Sequence, residues 1–170
     1  CAQTLSLPNV LYVYSLDLRM TEVDMLQNEG LGKINIKEKK IIEDTLAIGH
    51  LTAVKHANGR DWWVLIPKFL NPSDFKLLLI TPDSIHIFNR STFKNRFYID
   101  LGQSVFSPDG TSYATITFYG LSPNYTVFLD LYSFDRCSGE LTWRGQDIYQ
   151  GLYPACGVAF SPDSKLLYLS

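Results

Sequence analysis

Val105-Phe106-Ser107-Pro108-Asp109-Gly110-Thr111-Ser112-Tyr113-Ala114-Thr115 is the stretch on which the reading of this chain turns. It returns as Ala159 to Leu169, Ala-Phe-Ser-Pro-Asp-Ser-Lys-Leu-Leu-Tyr-Leu, and in disguise as Val54 to Val64, Val-Lys-His-Ala-Asn-Gly-Arg-Asp-Trp-Trp-Val. The copies align without a gap, 51 residues (105 − 54) and 54 residues (159 − 105) apart. A recurrence of this length marks stacked structural units, propeller blades among them. Within each copy the chemistry is that of a hairpin. Ser107, before a proline, is held extended. Pro108 is preset for the first corner of a turn and Asp109 can bond its own backbone. Gly110 takes positive φ without a side-chain clash. Pro162 and Asp163 repeat the turn, but Ser164 stands where the glycine was, so a turn that differs in detail is expected there. In the first copy Asn58-Gly59 makes the bend, a strong hairpin signal.

The 170 residues suffice for one domain with a core, and 46% apolar against 19% charged residues argues for a folded chain. A formal net charge of −2 gives no broad basic surface for nucleic acid. No apolar run approaches the roughly 20 residues that span a membrane. Trp62 to Ile66 and Phe75 to Ile80 read as buried strands. The chain opens on Cys1 without a charged-then-apolar leader, which points to processing or, as favoured here, a fragment. Three cysteines, Cys1, Cys137 and Cys156, fix no compartment. A Cys137–Cys156 bridge is one possibility; the blade arrangement, which puts the two at opposite ends of a blade, argues for unpaired thiols.

In chain order the pattern predicts a strand over 9–18, a polar loop over 21–32 with one helical turn at 22–26, and strands over 33–36 and 40–43 around a solvated turn at Lys37 to Lys40. Lysines on such an edge discourage unwanted pairing. Strands follow at 51–56, 62–69, 75–81 and 84–88, with a weak one at 97–100. A second series covers 103–106, 113–118, 127–134 and 140–148, and Val158 begins a third. The fold class is therefore all-β: a partial β-propeller of four-stranded antiparallel blades, about three blades' worth, with boundaries at 1–50, 51–102, 103–157 and 158–170. A propeller closes its ring to protect its edges, so other segments or chains are expected to complete it.

The Phe-Ser-Pro-Asp-Gly stretch resembles the repeat of Trp-Asp-type and TolB-like propellers. Thr52 to Trp63, Asn28-Glu29-Gly30-Leu31-Gly32 and Phe134-Asp135-Arg136-Cys137-Ser138-Gly139 together resemble large secreted proteins of Bacteroidetes-type bacteria. Those carry an N-terminal propeller and often a C-terminal sorting or gliding-associated domain. The resemblance implies an extracellular or cell-surface binding role. This chain departs from the pattern in an insertion at Thr21 to Gln27 and in showing no sorting domain.

Lys55, His56, Asn58, Arg60 and Asp61 gather on one hairpin tip. They form either a polar binding surface or simply the bend, with Arg60 and Asp61 solvated. Trp62 and Trp63 point to opposite faces of a strand, one or both packing between blades. His50, His56 and His86 have no ligand spacing, and no Cys-x-x-Cys is present, so no metal is expected. Asp109 and Asp163 recur because the turn needs them, not for calcium. No nucleophile elbow and no phosphate loop occurs, so no catalytic residues and no cofactor are expected. Asn89-Arg90-Ser91 and Asn124-Tyr125-Thr126 match the N-glycosylation triplet. Thr45 and Ser84 fit the Asp-Ser/Thr-apolar O-glycosylation pattern that the resemblance brings with it. The expected function is a non-catalytic scaffold or binding module for a protein or glycan. The alternatives are the propeller domain of a larger hydrolase and an intracellular interaction propeller.

Overall fold

The computed structural model describes residues 17–69, 73–92, 102–121, 124–150 and 157–170. The strand expected over 9–18 falls almost wholly outside them, as do Cys1, Cys156 and the weak strand at 97–100. Among the described residues the structure is all-β, with one short 3-10 turn at Asn28–Gly30 and no α-helix. Strands β1 (Leu18–Asp24) and β2 (Lys33–Ile42) pair as a hairpin. Strands β3 (Thr52–Lys55), β4 (Trp62–Pro67), β5 (Asp74–Ile80) and β6 (Ile85–Ser91) form an antiparallel sheet in chain order. Strands β7 (Gly102–Phe106), β8 (Ser112–Leu121), β9 (Asn124–Asp135) and β10 (Glu140–Gln150) form a second such sheet. Strands β11 (Val158–Phe160) and β12 (Leu167–Leu169) form a last pair, and among the described residues no sheet closes on itself.

Period-two alternation decides what each face buries. In β4, Trp63 and Leu65 join Phe75 and Leu77 of β5 and Val54 of β3 in one apolar cluster. Phe106, Tyr113, Tyr132 and Phe134 of the second sheet complete it. The alternate residue Ile66, with Leu78 of β5, packs on the opposite face with Ile42 and Leu46. The second sheet behaves alike: Ala114, Ile116, Val127 and Leu129 face away from the first sheet and cover Val158. Both four-stranded sheets are thus apolar on two faces, which is why Trp62 to Ile66 reads as an unbroken apolar run and Phe75 to Ile80 as one broken only by Lys76. β7 lies against both β3 and β11, so the first strands of successive sheets run side by side. Trp63 is 3% exposed and Trp62 46%, on opposite faces as expected.

Three expectations are corrected. The segment 21–32 is a loop only from Met25 onward: residues 21–24 belong to strand β1, which pairs with β2 from Leu18↔Ile42 to Asp24↔Lys33, and the one helical turn is a 3-10 turn at Asn28–Gly30 instead of at 22–26. Lys37 to Lys40 are not a turn either. They lie inside β2, where Glu38 takes φ 52 and the register against β1 shifts, as a bulge does. The strands expected at 113–118 and 127–134 are longer than that, because β8 runs to Leu121 and pairs it with Asn124 of β9.

Candidate functional site

One rim of the sheets carries the three repeated turns. At the second, the Asp109 carboxylate accepts from Ser107 Oγ (2.6 Å), the Thr111 amide (3.0 Å) and Thr111 Oγ1 (3.0 Å). Ser107 Oγ in turn accepts from the Ser112 amide at 3.0 Å, and Gly110 holds φ 75. At the third turn Ser161 Oγ donates to Asp163 (2.6 Å), Asp163 accepts from the Lys165 amide (3.3 Å), and Ser161 Oγ accepts from the Leu166 amide (2.9 Å). The pattern is the same, position for position. Ser164 accordingly adopts φ 62, so the expected difference at this turn does not occur. A left-handed serine costs about 1 kcal/mol. Its hydroxyl offsets part of that by accepting the Asp109 amide at 3.2 Å, which ties the third turn to the second.

The first turn reaches the same shape with other residues. Asn58 Oδ1 accepts the amides of Arg60 and Asp61, both at 3.0 Å, and Gly59 takes φ 73. The Asn58 amide donates to His56 Nδ1 (3.0 Å), so in the neutral ring Nε2 carries the proton and donates to the Cys137 carbonyl (3.2 Å). Asp61 is 5% exposed, not solvated. Its carboxylate takes Arg60 Nε and Asn58 Nδ2, each at 2.7 Å. Arg60 first and Asn58 second hold it below the usual carboxylate range. Lys55 presents its side chain to solvent and its carbonyl to Arg136.

Arg136 was invisible in the sequence because its partners are backbone carbonyls. It sits in the turn between β9 and β10. Its guanidinium donates to Lys55 O (3.0 Å) of the first sheet's hairpin and to Asp109 O (2.8 Å) of its own. Its carbonyl accepts Trp63 Nε1 (2.8 Å) and the Ala57 amide (3.2 Å). The five tip residues are therefore gathered on one rim, with His56, Asn58 and Asp61 bonded into the turn or across to the second sheet. At the far end of β3, His50 is fully buried, with Nδ1 2.8 Å from Ser104 Oγ and 3.2 Å from Thr115 Oγ1.

Asp109 and Asp163 are both held below the ordinary aspartate range, Asp109 by Ser107 first and the Thr111 amide next, Asp163 by Ser161 first and the Lys165 amide next. The unfolded chain then takes up protons before the folded one. The stability these carboxylates confer is present above about pH 4 and is lost as pH falls through their depressed folded values. Asp109→Asn is expected to flatten that acid slope, and Asp109→Ala to cost about 1 kcal/mol at neutral pH. Urea midpoints between pH 7 and pH 3 check both; an unchanged slope in the Asn variant would remove the explanation.

Among the described residues no cluster of three or more His, Cys, Asp or Glu side chains could hold a metal ion. No helix among the described residues is long and apolar enough to cross a membrane. Cys137 is a free, exposed thiol. Ser84 is exposed, its Oγ 3.0 Å from Thr81 Oγ1 and 2.9 Å from His86 Nε2. Thr45 is half-buried beside Asp44, which pairs with Lys68 (3.1 Å) and Lys76 (3.0 Å). Asn89 is exposed on β6 and accepts Lys76 Nζ at 2.8 Å; the Asn124 side chain lies outside the described atoms. Three clefts measure about 510, 460 and 290 Å³, and none is lined by Lys55, His56, Asn58, Arg60 or Asp61 among the described residues. No family profile, no curated protein and no solved structure matches the chain.

Proposed function

We propose that the chain is a stretch of a β-propeller. Strands β3–β6 and β7–β10 are two blades, and β1–β2 and β11–β12 belong to the blades on either side. It serves as a non-catalytic extracellular or cell-surface module that holds a protein or a glycan. One observation supports this above others: β7 lies against both β3 and β11, and the same turn recurs at one rim of each sheet. Sheets that stack face to face around their first strands generate a ring, and a ring leaves only short, protected edges. The saturated rim, where turn atoms bond one another and the next sheet, suits a rigid scaffold. Strands from other segments or chains complete the circle. The resemblance to secreted bacterial propellers supports the extracellular placement. Electron-microscopic averages of the full protein test the reading. A closed ring with a central channel is expected, and an open, curved stack of sheets overturns it.

A further inference from the structure

We propose that the cleft between the outer strands β6 and β10 binds a pyranose that carries a carboxylate, a uronate-type sugar within a glycan. The cleft measures about 510 Å³, within the range of small-ligand sites. Its lining combines three chemistries. Trp143, 38% exposed, and Leu141 supply apolar surface. An exposed indole suits the C–H face of a sugar ring, being broad, apolar and rigid. Thr92 and Thr142 supply hydroxyls, and the exposed Glu140 supplies a carboxylate that can accept from sugar hydroxyls.

Arg90 decides the ligand class. Its guanidinium carbon lies over the Phe88 ring, 5.2 Å from the centroid, a cation–π contact. It is half-buried, yet no carboxylate among the described residues pairs with it. Neighbouring Ser91 carries no charge to offer it, and its hydroxyl donates to Asp74 at 2.6 Å. A guanidinium resting on an aromatic ring, with no ion pair among the described residues, can take a carboxylate bidentately. Glu140 in the same lining disfavours a doubly charged phosphate by like-charge repulsion, so a singly charged carboxylate is the better fit. The site shares no lining residue with the hairpin tip and gives the binding-module reading a location and a ligand class. It rests on that reading and needs no closed ring.

The experiment is calorimetric titration of the full protein with digalacturonic acid, its methyl ester and a sulfated galactose. The acid is expected to bind with a Kd of about 1 mM or tighter. The ester, equal in shape and uncharged, is expected to bind about tenfold more weakly. Arg90→Gln should bring acid and ester to the same affinity, and Trp143→Ala should weaken both. Unchanged urea midpoints show that the variants fold. Absence of binding at about 10 mM, equal affinity for acid and ester, a preference for the sulfated sugar, or indifference to Arg90→Gln each overturns the proposal. Binding by a protein that forms no ring removes the propeller and keeps this site; a closed ring that ignores the uronate does the reverse.

Discussion

Trp63→Ala is expected to destabilise the protein by about 4 kcal/mol. The side chain is 3% exposed in the cluster shared by the two four-stranded sheets. Its ring meets Phe88 at 6.2 Å and Phe134 at 6.4 Å, edge-on in both cases, and His56 at 5.3 Å. Phe88 and His56 belong to the first sheet and its turn, whereas Phe134 belongs to the second. The indole N–H donates to the Arg136 carbonyl at 2.8 Å. Truncation therefore opens a cavity on the interface and removes a bond across it. Trp63→Phe separates the terms: it keeps most of the packing, loses the N–H donor, and should cost about 1–2 kcal/mol. Trp62→Ala is the control, since Trp62 is 46% exposed on the opposite face; it should stay within about 0.5–1 kcal/mol. Urea unfolding with unchanged m-values reads all three. A Trp63→Ala loss no larger than that of Trp62→Ala would mean that the two sheets do not share a core.

The parts of the fold that were legible are those where backbone geometry imposes a residue type. Ser107-Pro108-Asp109-Gly110 and Asn58-Gly59 announced their turns because only certain residues make those bends, and the structure gives φ 75 and 73 at the two glycines. The strands β4 and β5 were legible because burial on two faces leaves no polar alternation. Of the hairpin β1–β2, strand β2 was legible over 33–36 and 40–43, whereas most of β1 was not. Val23 and Ile34 are 46% and 53% exposed and only Leu18, Ile41 and Ile42 at the base reach a core, so no continuous apolar face marked β1 as a strand. Its pairing rests on backbone bonds that any sequence can make. Ser164 misled for another reason: propensity disfavours φ 62, yet the Ser161–Asp163 bonds and the Asp109 amide determine the turn regardless. The hairpin tip was read correctly as a cluster, but solvation was wrongly assigned to Asp61, because an Asn three residues earlier and an adjacent Arg can bury a carboxylate that composition places outside. Arg136 and His50 were beyond reach. A side chain that seeks carbonyls, or hydroxyls 54 and 65 residues away, leaves no local pattern.

Gly49→Ala is expected to cost more than about 3 kcal/mol, for reasons that separate into two parts. Gly49 holds φ 82, and an L side chain there costs about 1–2 kcal/mol on its own. Gly59 shares that conformation at φ 73 with open space around it, so Gly59→Ala isolates the backbone part. The remainder comes from position. A methyl on Gly49 would press into the carbonyl oxygen of Gly102, the first residue of β7. That strand cannot retreat, because Gly102 itself lies against the Ile116 carbonyl of β8 and within 2.9 Å of the His50 ring, measured from where its own Cβ would stand. Accommodating the methyl must therefore move His50, the fully buried residue that meets Ser104 and Thr115. Displacing it strands buried hydroxyls, at about 1–3 kcal/mol for each group left unpaired. The difference between the two Gly→Ala variants, read as a shift in urea midpoint, thus measures how closely the lead-in to β3 is docked on the second sheet. Equal losses at Gly49 and Gly59 would show that this seam is loose, and with it the side-by-side placement of β3 and β7 on which the proposed ring depends.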